Sequence, residues 1–157
     1  AARGLALGLN VPAIGVTGFE AMRGASAMNG HARQLVSLPG PRDGYYLQPF
    51  QGGQTMGPAH AAPNLDGVDW TAMGVTGATE IIGHNADLIS GFLSGAPEER
   101  HGHVTSTLPT TELAATIGRI ALAKLTRGAA IARPTPVYVR PADAAPAREK
   151  GPTILPC

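Results

Sequence analysis

Two short apolar runs on either side of a dense turn cluster constrain this chain more than any other feature. Arg33–Leu38 (RQLVSL) and Tyr45–Phe50 (YYLQPF) both read as strands. The six residues between them, Pro39-Gly40-Pro41-Arg42-Asp43-Gly44, are nearly all turn formers. The pattern predicts an antiparallel hairpin with a longer loop, so the middle of the chain is committed to a sheet that other segments must cover. With 21 glycines and 14 prolines in 157 residues, the chain is poorly suited to a helical bundle and well suited to many turns. Its length corresponds to about one domain, large enough to bury roughly 68–70% of its unfolded surface.

The flanking segments supply that cover. Ala1–Leu9 reads as the end of a helix, with Leu5 and Leu9 one turn apart and Asn10 as its stop. The chain opens without Met, directly in helix-like sequence, which points to residues upstream. Val11–Val16 (VPAIGV) reads as a short buried strand. Thr17-Gly18-Phe19-Glu20 then has the Thr-x-x-Glu form of a capping box, opening a helix to about Met28 that Asn29-Gly30 ends. Phe19 and Met22 share one face of it. Gln51–Asp69 reads mostly as loop, Thr71–Thr76 as a strand, Ala78–Leu93 as a helix and Ser94–Pro109 as polar loop. Thr110–Arg127 has the clearest helical period, through Leu113, Ile117, Ile120 and Leu125. Val137–Arg140 reads as a last strand, and the Pro- and Ala-rich residues 141–157 as a tail. The sum is an α/β chain with a mixed sheet.

Composition narrows the function classes. Mean hydropathy is +0.03, and 15% of residues are charged, so the chain is no charge-rich disordered segment. Twelve basic residues face 11 acidic ones, a net charge of +1, and 4% of residues are aromatic. A free-standing nucleic-acid binder carries a larger basic excess and more stacking surface. The one cysteine, Cys157, excludes an intrachain disulfide and fits a reducing compartment. No apolar run is long enough for a membrane span, and no signal peptide opens the chain. The expected location is the cytoplasm.

No residue set assembles a convincing catalytic site, cofactor site or metal site. His101 and His103 could face one side of an extended segment, but a zinc site needs a third ligand and no HExxH or paired-cysteine spacing is present. Gly74-Val-Thr-Gly77-Ala-Thr-Glu80 invites a phosphate-loop reading, yet Glu80 stands where the dinucleotide fingerprint needs glycine, and its carboxylate would repel pyrophosphate. Ordinary strand–turn–helix packing suits it better. Ser26 lacks the second glycine of a nucleophile elbow and falls inside a predicted helix. Asp66, Asp69, Glu98 and Glu99 read as solvated carboxylates. The apolar faces near the start are more informative. Leu5, Leu9, Phe19 and Met22 lie on two helices joined by one short segment. They fit either burial in the chain's own core or a helix–helix interface with another subunit.

Three segments carry a family resemblance. Gly4-Leu5-Ala6-Leu7-Gly8-Leu9, then Pro12-Ala13-Ile14-Gly15-Val16 and Thr17-Gly18-Phe19-Glu20, resemble the TsaB (YeaZ) glycoprotease-like family. Pro136-Val137-Tyr138-Val139-Arg140 resembles that family's closing strand. Arg42-Asp43-Gly44-Tyr45-Tyr46 resembles its Asp-Ala-Arg hairpin, with Gly40-Pro41 in place of Asp-Ala. The resemblance implies an actin-like/Hsp70-like ATPase (ribonuclease H-like) architecture of two α/β lobes. Its amino-terminal lobe would be incomplete here, because the family's opening hairpin and Gly-rich loop would precede Ala1. On that basis residues 1–50 would be the remainder of the first lobe and 51–140 the second. The implied role is a non-catalytic scaffold in forming threonylcarbamoyladenosine in tRNA. The implied partners are a TsaD-like transferase subunit and a TsaE-like ATPase, with tRNA contact indirect or shared. The family docks TsaD through its first two helices, which adds weight to Leu5, Leu9, Phe19 and Met22 as an interface. The same surface forms homodimers in the family. The alternatives are a metallopeptidase-like or acyltransferase enzyme of the same superfamily, and a degenerate sugar-kinase-like ATPase.

Overall fold

The hairpin forms as its turn chemistry dictates, and a mixed sheet grows from it. The structure is a computed structural model describing residues 2–26, 33–95, 104–107, 113–127 and 133–139. Strand β1 (Arg33–Pro39) pairs antiparallel with β2 (Tyr45–Gln51), in a register that sets Val36 opposite Gln48. A single 3-10 turn at Pro41–Asp43 reverses the chain between them. On the far side of β1, β5 (Thr79–Gly83) runs parallel to it, and β6 (Val104–Thr107) runs parallel to β5. Two short strands, β3 (Gln54–Thr55) and β4 (His60–Ala62), share the outer edge of β2. The sheet order is β3-β2-β1-β5-β6, with β4 also on β2. Strands from both sides of residue 51 therefore belong to one sheet.

Helices cover both faces. Leu35, Leu47 and Ile81 point to one side, where Trp70, Met73 and helix α3 (Ala86–Ser94) close over them through Ile89 and Leu93. Val36, Phe50 and Ile82 point to the other, beneath Phe19 of helix α2 (Gly18–Gly24). This is the period-2 alternation of a strand buried on both faces. Helix α4 (Leu113–Thr126) lies against α2 at a close approach, where a Cβ on Gly24 would stand 2.9 Å from Ile120 Cδ1. Helix α1 (Ala2–Gly8) precedes these layers.

Several predicted elements are replaced. Val11–Val16 has no regular structure and joins no ladder among the described residues; Pro12 has no N–H to give one, and Gly15 lies against Pro134 instead. Thr71–Thr76 is a turn rather than a strand. The backbone N–H of Met73 donates to the Asp69 carbonyl and that of Val75 to the Trp70 carbonyl, which coils the segment while still burying Met73 and Val75. The strand comes one step later, as β5, in residues read as the start of a helix. Thr79, Ile81 and Ile82 are β-branched and covered on both sides, so the amphipathic period that would separate strand from helix is absent. The helix begins only at Ala86. The loop predicted over Gln51–Asp69 contains β3 and β4, and that predicted over Ser94–Pro109 contains β6. Residues 133–139 have no regular structure and no sheet partner among the described residues, in place of the predicted last strand. The tail at 141–157 lies outside the described residues.

Candidate functional site

The four apolar residues singled out in the sequence occupy two different environments. Helix α1 ends in a Schellman motif: Asn10 takes φ +52°, its N–H donates to the Leu7 carbonyl, and the N–H of Val11 donates to the Ala6 carbonyl. Asn10 is thus the stop that the sequence predicts. No residue of α1 is buried. Leu5 is 67% exposed, Leu7 84% and Leu9 71%, with Val11 continuing the apolar surface. Phe19, by contrast, belongs to the chain's own core beside Val36, Phe50 and Ile82, and Met22 is half-buried against the same cluster. Of the four, Leu5 and Leu9 are open to another molecule and Phe19 is not.

Helix α2 starts as the sequence dictates. The Thr17 hydroxyl accepts from the Glu20 backbone N–H at 3.1 Å, and the Glu20 carboxylate accepts from the Thr17 N–H at 2.8 Å, a complete capping box. The free carboxylate oxygen meets Lys124 of α4 at 2.7 Å, and the Lys124 ammonium also donates to the Gly15 carbonyl. These contacts join the entry of α2 to α4. They also form part of the wall of a cleft of about 940 Å³, whose other sides include Leu38, Tyr46, Pro134 and Tyr138.

Burial disfavours the charged form of Glu20, but the hydrogen bonds from Lys124 and Thr17 and the Lys124 charge outweigh it and hold its carboxyl below the ordinary value. A carboxyl whose folded pKa is depressed contributes stability above its unfolded pKa and loses it as pH falls through the folded value. Lys124→Met is expected to lower unfolding free energy by up to about 1 kcal/mol at neutral pH, because both partners remain partly in water. Urea unfolding of both proteins should show this gap closing at pH 3. A gap of the same size at both pH values would mean that the pair adds nothing.

A buried polar centre sits within the sheet, and no sequence motif announced it. Glu80, the second residue of β5, is 2% exposed. Its carboxyl accepts from the Ser26 hydroxyl at 2.5 Å on one oxygen and from the Gln34 side-chain amide at 2.8 Å on the other. Ser26 follows the end of α2 rather than lying within a helix, and it too is buried. Glu80 therefore stands mid-strand and not at a helix start, so the segment Gly74–Glu80 is a turn leading into a strand. The readable signal was a carboxylate inside the run Thr79–Gly83: a charge there has to find partners on folding. Asp66 and Asp69 are exposed, and Asp69 accepts from the Ala72 N–H at 2.9 Å. His60 is exposed and His84 is half-buried beside the Tyr45 ring. His31, His101, His103, Glu98 and Glu99 lie outside the described residues. Among the described residues, no three His, Cys, Asp or Glu side chains gather as a metal would require.

No family model and no curated protein matches the chain. Among solved structures, it is similar to an uncharacterised protein described as similar to peptidase YeaZ from Pseudomonas aeruginosa, at 22% identity and a TM-score of 0.51. The match covers 88% of this chain and 63% of that one. The fold is YeaZ-like. YeaZ from Pseudomonas aeruginosa itself aligns over 78% of this chain and 56% of its own, at 20% identity and a TM-score of 0.48. The chain thus spans less than two thirds of the length of either structure. No helix among the described residues is long and apolar enough to cross a membrane.

Proposed function

We propose that the chain belongs to the TsaB family and is a non-catalytic scaffold subunit of the machinery that forms threonylcarbamoyladenosine in tRNA. In this reading it is a cytoplasmic protein of actin-like architecture that docks a TsaD-like transferase subunit, which a TsaE-like ATPase joins. The YeaZ-like fold supports the family reading, along with the segments Gly4–Leu9 and Pro12–Glu20. The observation that carries the docking role is the pair Leu5 and Leu9, one turn apart at and just past the end of α1 and both exposed, on a helix that buries no residue of its own. Exposed apolar side chains that share one face support an interaction surface.

The test separates docking from folding. Leu5→Asp combined with Leu9→Asp leaves the core untouched, so thermal unfolding should stay near that of the parent chain. Each leucine buried in an interface contributes about 1.5–3 kcal/mol, so the pair is expected to weaken TsaD binding at least about 100-fold and to abolish co-elution in gel filtration. Co-elution of the double variant at parental yield would remove the docking assignment.

A further inference from the structure

A second cavity, of about 450 Å³, opens between α2, α4 and the turn after β2, and it takes no part in the α1 surface. Four cations line it, namely Arg23, Arg119, Lys124 and Arg127, against the single carboxylate of Glu20, a local charge of +3. This stands out in a chain whose net charge is +1. Lys124 is already held by Glu20, but among the described residues no carboxylate pairs with any of the three arginines. Arg119 is steadied by a 2.8 Å bond to the Thr116 hydroxyl. Arg23 is the most telling. Its guanidinium lies 5.7 Å from the centre of the Phe50 ring, and its Nε is buried with no hydrogen-bond partner. Gly53 passes close to the same guanidinium, where a Cβ would stand 3.5 Å from Arg23 Nη1. The buried Nε is closed to solvent, so a ligand in the cavity would meet this side chain at its terminal nitrogens.

We propose that this cavity binds a small phosphate-bearing anion. The planar forks of Arg23, Arg119 and Arg127 match phosphate oxygens, and the volume falls within the range of small-molecule sites. The positive charge is gathered in one recess rather than strung along a strip, and the Phe50 face is taken up by Arg23. Both features favour a compact phosphate ester or pyrophosphate over a nucleic-acid strand.

Calorimetric titration of the whole chain with sodium pyrophosphate, at low ionic strength, tests this. One saturable event per chain is expected. Arg23→Gln and, separately, the exposed Arg127→Gln should each weaken it about tenfold, the loss of one charged hydrogen bond. Arg3→Gln, on α1, should leave it unchanged. A single-stranded RNA 20-mer added to the loaded protein should fail to displace pyrophosphate. Absence of saturable heat, or equal affinity in all three variants, would overturn the site. Displacement by the RNA with a salt slope of several phosphates would overturn the small-anion assignment in favour of a strand.

Discussion

Gly83→Ala is expected to be among the most damaging single substitutions in this protein, although it adds only one methyl group. Gly83 ends β5 at φ +105°, outside the region that L side chains adopt. A Cβ there would stand 2.3 Å from the Ser37 carbonyl oxygen of the neighbouring strand. That oxygen cannot move aside cheaply, because it accepts the His84 N–H at 2.8 Å where the parallel pair of β1 and β5 ends. The substitution therefore forces either a strained backbone or the opening of the pair that positions both cores. A loss of about 3–5 kcal/mol is expected, which for a chain of this size lowers the melting temperature by roughly 10 °C or more. Gly77→Ala is the internal comparison. Gly77 also has positive φ, at +66°, but a Cβ there meets nothing within 4 Å. Its cost should stay near 1 kcal/mol. Circular dichroism melts of the two variants separate steric collision from backbone preference, and equal melting temperatures would show that the approach of β5 to Ser37 does not constrain the fold.

The contrast between these glycines explains what the sequence could reveal. Local chemistry was readable. The Thr17–Glu20 capping box, the Asn10 stop and the turn cluster at Pro39–Gly44 each act within a few residues, and each forms as expected. The long helix at Leu113–Thr126 was also readable, because its period persists over several turns. Elements whose identity depends on distant partners were not. Thr79–Gly83 became a strand because β1 lay ready on one side and β6 on the other, with both faces covered. Val11–Val16 and Val137–Val139 have strand-like composition, but no ladder partner among the described residues completes them. At the site, the sequence grouped Leu5, Leu9, Phe19 and Met22 by apolarity alone. Only the placement of α2 over Val36, Phe50 and Ile82 separates the core residue Phe19 from the exposed leucines. The arginine-lined cavity was invisible for the same reason. Arg23 and Arg127 are more than 100 residues apart in sequence, and the packing of α2 on α4 brings them together.

Glu80→Ala is expected to cost about 3 kcal/mol, an effect close to that at Gly83 but of different origin. The carboxyl is the common acceptor for the Ser26 hydroxyl and the Gln34 amide, so its removal breaks two buried hydrogen bonds at once and leaves a cavity beside them. Ser26 follows α2, Gln34 lies on β1 and Glu80 on β5, so this one side chain ties a helix end to two parallel strands. Glu80→Gln separates the contributions. The amide keeps the volume and one acceptor oxygen, but its NH2 can only donate, so one of the two bonds must be reversed or lost and it should recover roughly half the loss. Chemical unfolding of the parent, Glu80→Gln and Glu80→Ala should therefore give three distinct midpoints in that order. Coincident midpoints for Glu80→Gln and Glu80→Ala would assign the whole effect to charge. A parental midpoint for Glu80→Ala would show that the contacts to Ser26 and Gln34 do not hold the helix to the sheet. Double variants refine the result: with Ser26 already replaced by alanine, Glu80→Ala should cost measurably less, by the coupling between the two side chains.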